Sequence, residues 1–215
     1  MSTREERLIS HRRFFVRVSE LNDTGKLASL RRNVGNTLEN SHNALWCFQL
    51  INQHSSAPQD APWRSRQENI FFLAACLAAT DRKLATIAKG KEMGSDAASE
   101  ASNIHADFGN FGRSMLSLKA QSTGSPESID RRFTILLDSD LDPAGSGELA
   151  YRLRQIMKMA LGKGVTVNWA LLLEDLLNWN RPDKSVQKSW ARSYWAPEST
   201  DARLTDASLT DSNTK

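Results

Sequence analysis

Apolar residues recur at helical spacing along almost the whole chain. Glu5 to about Ser19 places Leu8, Phe15 and Val18 on one side, which predicts an amphipathic helix. Asp23 or Thr24 can cap the next helix, whose stripe is Leu27, Leu30, Val34 and Leu38. An apolar patch from Ala44 to Ile51 runs into a Ser/Pro/Ala-rich loop over Gln53 to Pro62. Trp63 follows, and Arg66 to Lys89 reads as a largely buried helix through Phe72, Leu73, Cys76, Leu77 and Leu84. Gly90 to Asn103 is the clearest break, with Met93 its one large apolar residue, and reads as a linker or mobile loop.

Beyond the break the periodicity resumes. Asp107 can cap a helix whose core face is Phe108, Phe111, Met115 and Leu118. Ser125 and Pro126 have the pattern of an N-cap and first helical residue, ahead of Ile129, Phe133, Leu136 and Leu137. After a turn-rich connection from Asp138 to Gly147 comes the stripe Leu149, Leu153, Ile156, Met157 and Ala160, ended by Gly162 or Gly164. Asn168 can cap a helix burying Trp169, Leu172, Leu173, Leu176 and Leu177, broken by Arg181 and Pro182. A last helix carries Val186, Trp190 and Tyr194. Beyond two or three residues near Val165, no stretch alternates long enough to predict a strand. The expected fold is all-α, with about eight helices in two small lobes: 1–103, ending in the flexible loop, and 104–196. Residues 197–215 are Ser/Thr/Asp-rich and read as a disordered acidic tail.

Composition narrows the class without naming a function. At 40% hydrophobic and 25% charged, the 215 residues belong to an ordinary globular protein. The longest apolar run, Ile70 to Ala79, is half of the roughly 20 residues that a membrane helix needs. Arg4, Glu5, Glu6 and Arg7 are followed by no apolar stretch of signal-peptide length, so a cytoplasmic location is expected. Cys47 and Cys76 fall in helical apolar patterns and read as buried free thiols. Net charge is +3; four acids against two cations leave the tail at −2, and hence residues 1–196 at +5. A balance this mild does not by itself establish nucleic-acid binding.

Sites for chemistry are scarce. Asp138-Ser139-Asp140-Leu141-Asp142 begins like a calcium loop, but Pro143 and Leu149 stand where Gly and Glu are needed. Gly109-Asn110-Phe111-Gly112 matches the glycine loop of a KH domain, which requires strands; a glycine pair packed closely in a helix is the better reading. His11, His42, His54 and His105 fall in different segments without metal-ligand spacing. No metal, cofactor or catalytic residue is expected. Trp46, Trp169 and Trp190 lie on apolar faces and read as core, whereas Trp63 and Trp195 are as compatible with base stacking as with packing.

The arginines carry more information. At about 100° per residue, Arg31 lies at the border of its helix's stripe and Arg32 projects away from it. Arg132 is at the edge of the Ile129/Phe133 stripe, with Arg131 opposite. Arg152 is at the edge of the next, while Arg154 and Lys158 point outward one turn apart. Guanidinium forks match two phosphate oxygens at once. Solvated faces, or salt bridges to Asp138, Glu148 and Glu174, would produce the same pattern.

The order of these segments resembles the CasB family, the small subunit of the type I-E CRISPR Cascade complex, over residues 24 to 195. Lys26-Leu27-Ala28-Ser29-Leu30-Arg31-Arg32 resembles that family's first basic helix, and Phe111-Gly112-Arg113-Ser114-Met115-Leu116 its small-residue and arginine helix. Arg131-Arg132-Phe133-Thr134-Ile135-Leu136-Leu137-Asp138 is similar to its arginine-arginine, apolar, acidic segment, and Leu149 to Ile156 to its paired-arginine helix. Asn168-Trp169-Ala170-Leu171-Leu172, Leu176-Leu177-Asn178-Trp179 and Lys188-Ser189-Trp190-Ala191-Arg192-Ser193-Tyr194 resemble its last two helices. Asn168 stands where the family usually has Asp, Gly90 to Asn103 matches no pattern, and the acidic tail is additional.

The resemblance implies a non-catalytic subunit, typically present in two copies. Its expected partners are the backbone and large subunits of the crRNA-guided complex and the target and displaced DNA strands, and its role is R-loop stabilisation in antiviral defence. It carries over Arg31, Arg32, Arg66, Arg113, Arg131, Arg132, Arg152 and Arg154 as nucleic-acid backbone contacts; helix geometry adds Lys158 and Lys163. The alternative is a purely structural helical subunit whose arginines bind protein partners.

Overall fold

The computed structural model describes residues 3–21, 24–55, 57–84, 108–122, 126–142 and 147–196. Within them the helices are α1 (Arg4–Ser19), α2 (Thr24–Arg32), α3 (Cys47–Asn52), α4 (Arg64–Ala78), α5 (Phe111–Ala120), α6 (Pro126–Asp138), α7 (Glu148–Gly162), α8 (Trp169–Leu177) and α9 (Ser185–Trp195), with a 3-10 turn at His42–Ala44. Eight of these have seven residues or more, and no strand occurs among the described residues, so the all-α expectation holds. Val165 and Val167 are buried in a non-helical connection. The Gly90–Asn103 segment, the acidic tail, and the expected caps Asp23, Asp107 and Ser125 lie outside the described residues.

Local chemistry sets the helix ends. Thr3 and Glu6 form a reciprocal capping box at α1. The Asn168 side chain accepts the Leu171 N–H at α8, as its position predicts. At α5 the observed cap is Asn110, whose side chain accepts the Arg113 N–H; Phe108 and Gly109 precede the helix. The pair Gly109 and Gly112 therefore does not sit within one helix. The second stripe also ends sooner than its spacing suggests. α2 stops at Arg32, and Gly35 at φ +94° turns the chain away. Val34 and Leu38 are still buried, because Asn69 Oδ1 accepts the Leu38 N–H at 2.7 Å and fixes this irregular segment against α4.

α4 is the centre of the first half. From Glu68 to Ala78 every residue is buried, as befits a helix packed by α1, α2, α3 and α8 together. The second half closes on tryptophans. Trp179 and Trp190 are fully buried with rings 4.9 Å apart. Trp179 Nε1 donates to Ser139 O at 2.9 Å and Trp190 Nε1 to Asp175 Oδ2 at 2.6 Å, so both indole N–H groups are satisfied. α8 lies against α1 and α4, which packs this later helix onto the N-terminal ones over a buried surface. Glu174 on α8 fastens that surface: its carboxylate accepts from Arg7 Nη2 at 2.7 Å and meets His11 Nε2 at 3.1 Å. These donors hold Glu174 down to about 2, against the desolvation that would raise it.

Candidate nucleic-acid interface

Six of the ten candidate cations lie in two grooves on the flanks of α7, a helix that buries Leu149, Ala150, Leu153, Ile156, Met157 and Ala160. Tyr151, Arg152 and Gln155 of this helix line one groove, and Arg154 and Lys158 line the other.

The first groove, about 710 Å³, runs between α2, the chain leaving α4, and α7 with its exit. Five cations line it: Arg31, Arg82, Lys83, Arg154 and Lys158. Three of them donate to backbone carbonyl oxygens, which fixes their side chains along the groove. Arg31 Nε donates to Ala79 O at 2.7 Å, Lys83 Nζ to Gly164 O at 2.7 Å, and Arg154 Nη1 to Val34 O at 3.4 Å. Gly164 adopts φ +72°, which turns the chain just beyond α7. Among the described residues that line it, Asp81 is the one carboxylate, and it is turned inward at 5% exposure. It accepts from Trp169 Nε1 at 3.1 Å and from the Lys83 N–H at 2.9 Å. The groove's outer surface is therefore cationic.

The second groove, about 530 Å³, lies between α6 and α7 and is lined by Arg131, Arg132, Tyr151 and Arg152. Arg131 and Arg132 are exposed, and Tyr151 is 60% exposed. Arg152 is half-buried and donates through Nε to Glu148 Oε1 at 2.8 Å, with Nη2 on the same oxygen. Of the acids open to these arginines, Glu148 thus takes Arg152, whereas Glu174 is engaged by Arg7 and His11.

The structure thus brings together Arg31, Arg154 and Lys158 in one groove, and Arg131, Arg132 and Arg152 in the other. Arg32, Arg66, Arg113 and Lys163 line neither. Arg32, Arg113 and Lys163 are exposed, while Arg66 is half-buried and its Nε has no hydrogen-bond partner. Sequence reasoning missed Arg82 and Lys83. Their only local signal is Asp81, which caps the turn that presents them.

Other chemistry is sparse. Among the described residues no group of three His, Cys, Asp or Glu side chains could hold a metal ion. Both cysteines are buried free thiols; burial pushes Cys47 up to about 12 and Cys76 well above its ordinary value, so neither supplies a thiolate at neutral pH. No helix among the described residues is long and apolar enough to cross a membrane. Of the ambiguous tryptophans, Trp63 and Trp195 are half exposed, and Trp195 also packs on Phe133.

An all-helical protein with paired basic grooves and no metal-binding group among its described residues is the class these observations define. Residues 26–195 match the family model of CRISPR-associated protein Cse2, and the chain belongs to that family. A Cse2 protein of Thermus thermophilus is 36% identical over 83 residues, a stretch covering 39% of this chain and 43% of that relative. The fold resembles the crystal structure of M. ruber CasB at a TM-score of 0.62 and 24% identity, covering 94% of this chain and 99% of the other. It also resembles a chain of a CRISPR RNA-guided surveillance complex at a TM-score of 0.62 and 19% identity, covering 92% and 99%.

Proposed function

We propose that this chain is the non-catalytic small subunit of a type I-E CRISPR RNA-guided surveillance complex, in the cytoplasm. There it grips nucleic-acid backbone and stabilises the R-loop. The observation that carries this reading is the first groove, where five cations stand with a single carboxylate among the described lining residues, and that carboxylate is already engaged by Trp169 and by the Lys83 amide. Such a surface attracts phosphate oxygens, and guanidinium forks suit them. Exchanging a DNA duplex for an RNA–DNA heteroduplex is nearly balanced, so a few backbone contacts suffice to tip it. Family membership and the fold shared with a surveillance-complex chain support the setting.

The second groove favours a companion role. Arg152 is neutralised by Glu148, and the exposed Tyr151 beside it suits a partner surface as well as a strand. Reconstituting the complex with and without this chain tests the proposal. The chain is expected to co-assemble, and its omission to weaken target-DNA binding. Undiminished DNA affinity in the complex lacking it would sink the reading.

A further inference from the structure

Tyr151 is the most exposed large hydrophobic residue of the described chain, at 60%. It stands on α7 in a groove whose other prominent members are Arg131, Arg132 and Arg152. Arg152 is engaged by Glu148. Arg131 and Arg132, exposed on the neighbouring helix α6, point the groove's charge toward an external anion. Ser128 and Gln155 add uncharged hydrogen-bonding groups to the same lining. An aromatic face flanked by exposed guanidinium groups offers two things at once: a flat apolar platform and cations for the phosphates on either side. A duplex offers only its phosphates to such a site, because its bases are stacked on each other. A single strand offers both.

We infer that Tyr151 is a stacking platform for an unpaired nucleobase, with Arg131 and Arg132 holding the adjoining phosphates. The inference rests on the proposed reading of this chain as a nucleic-acid-binding subunit, and it specifies single-stranded nucleic acid as what the second groove takes. Every base has an apolar face, so the platform is tolerant of sequence.

The test is fluorescence anisotropy of the full chain with labelled oligothymidine. Controls are an abasic oligomer of equal length and phosphate count, and polyglutamate as competitor. Wild type should bind oligothymidine more tightly than the abasic strand. Tyr151→Ala should lose about tenfold on oligothymidine and nothing on the abasic strand, while Tyr151→Phe stays within about twofold of wild type. The salt slope should stay the same in Tyr151→Ala, because stacking releases no counterions. Equal salt-dependent binding of intact and abasic strands by wild type overturns the stacking inference and leaves the backbone reading standing. Polyglutamate competing as well as unlabelled oligothymidine shows that the chain reads charge alone and likewise overturns it. Absence of salt-dependent binding to any strand overturns this inference, while the proposed function stands or falls by the reconstituted complex.

Discussion

Replacing Gly112 by alanine puts a methyl group where α5 meets α9. A Cβ at that position would lie 2.1 Å from the Trp190 carbonyl oxygen, 2.8 Å from its carbonyl carbon and 2.9 Å from its Cα. All three atoms are backbone, so no rotamer change makes room. The oxygen is about 1.3 Å short of the 3.4 Å at which ordinary contact begins, so the helices must part or tilt by a comparable amount. That motion opens the Phe111–Trp190 ring contact, whose centroids are 5.0 Å apart, and a gap of about 1 Å forfeits roughly half of each affected dispersion contact. Overpacking of this kind costs about 3 kcal/mol, near the top of its usual range because backbone meets backbone. The better helix propensity of alanine returns up to about 1 kcal/mol, leaving a net loss of about 2–3 kcal/mol. For a domain of this size that lowers Tm by roughly 5–10 °C. Urea unfolding followed by circular dichroism measures it. Gly162→Ala is the internal control: nothing lies within 4 Å of its added Cβ, so it should be neutral or stabilising by up to about 1 kcal/mol. Equal stability of Gly112→Ala and wild type would refute the close packing of α5 on α9.

Two neighbouring carboxylates on α8 give opposite pH dependences. Glu174 is held from 4.5 down to about 2, so its contribution is complete above pH 4.5 and disappears as pH falls through about 2. Glu174→Gln should cost about 3 kcal/mol in urea unfolding at neutral pH, and the deficit should vanish near pH 2. Burial pushes Asp175 from 3.8 up to about 7, despite the Trp190 N–H it accepts. Its folded form therefore holds a proton that the unfolded chain has released, and stability falls as pH rises from 3.8 to about 7. Asp175→Asn keeps the acceptor for Trp190; at about 1.4 kcal/mol per pKa unit it should be more stable than wild type by about 4 kcal/mol at pH 8 and equal to it below pH 3.8. A melting-temperature profile against pH would show both effects.

Helix identity was legible wherever one stripe faces one core. All five residues of the Leu149–Ala160 stripe are buried, as are Val186, Trp190 and Tyr194. Arginine exposure on α6 and α7 also follows from spacing alone. What spacing does not carry is where a stripe stops serving a helix: Val34 and Leu38 continue the period of α2, yet they are buried through Asn69 and the Gly35 turn. Partner choice was equally hidden. Glu174 looked available to the candidate arginines, but α8 packs on α1, so Arg7 and His11 claim it. The first groove is assembled from α2, α4 and α7, so no local pattern places Arg82 and Lys83 beside Arg154.

The basic groove is the central claim, and the salt dependence of target-DNA binding by the reconstituted complex tests it most directly. In the variant Arg31→Ala, Arg154→Ala, Lys158→Ala, three cations leave one groove. With about 0.7–0.9 per lost phosphate contact, the plot of log K against log salt should flatten by roughly two to three, with weaker binding at low salt and intact assembly. An assembled variant complex with wild-type affinity and an unchanged slope would contradict the account.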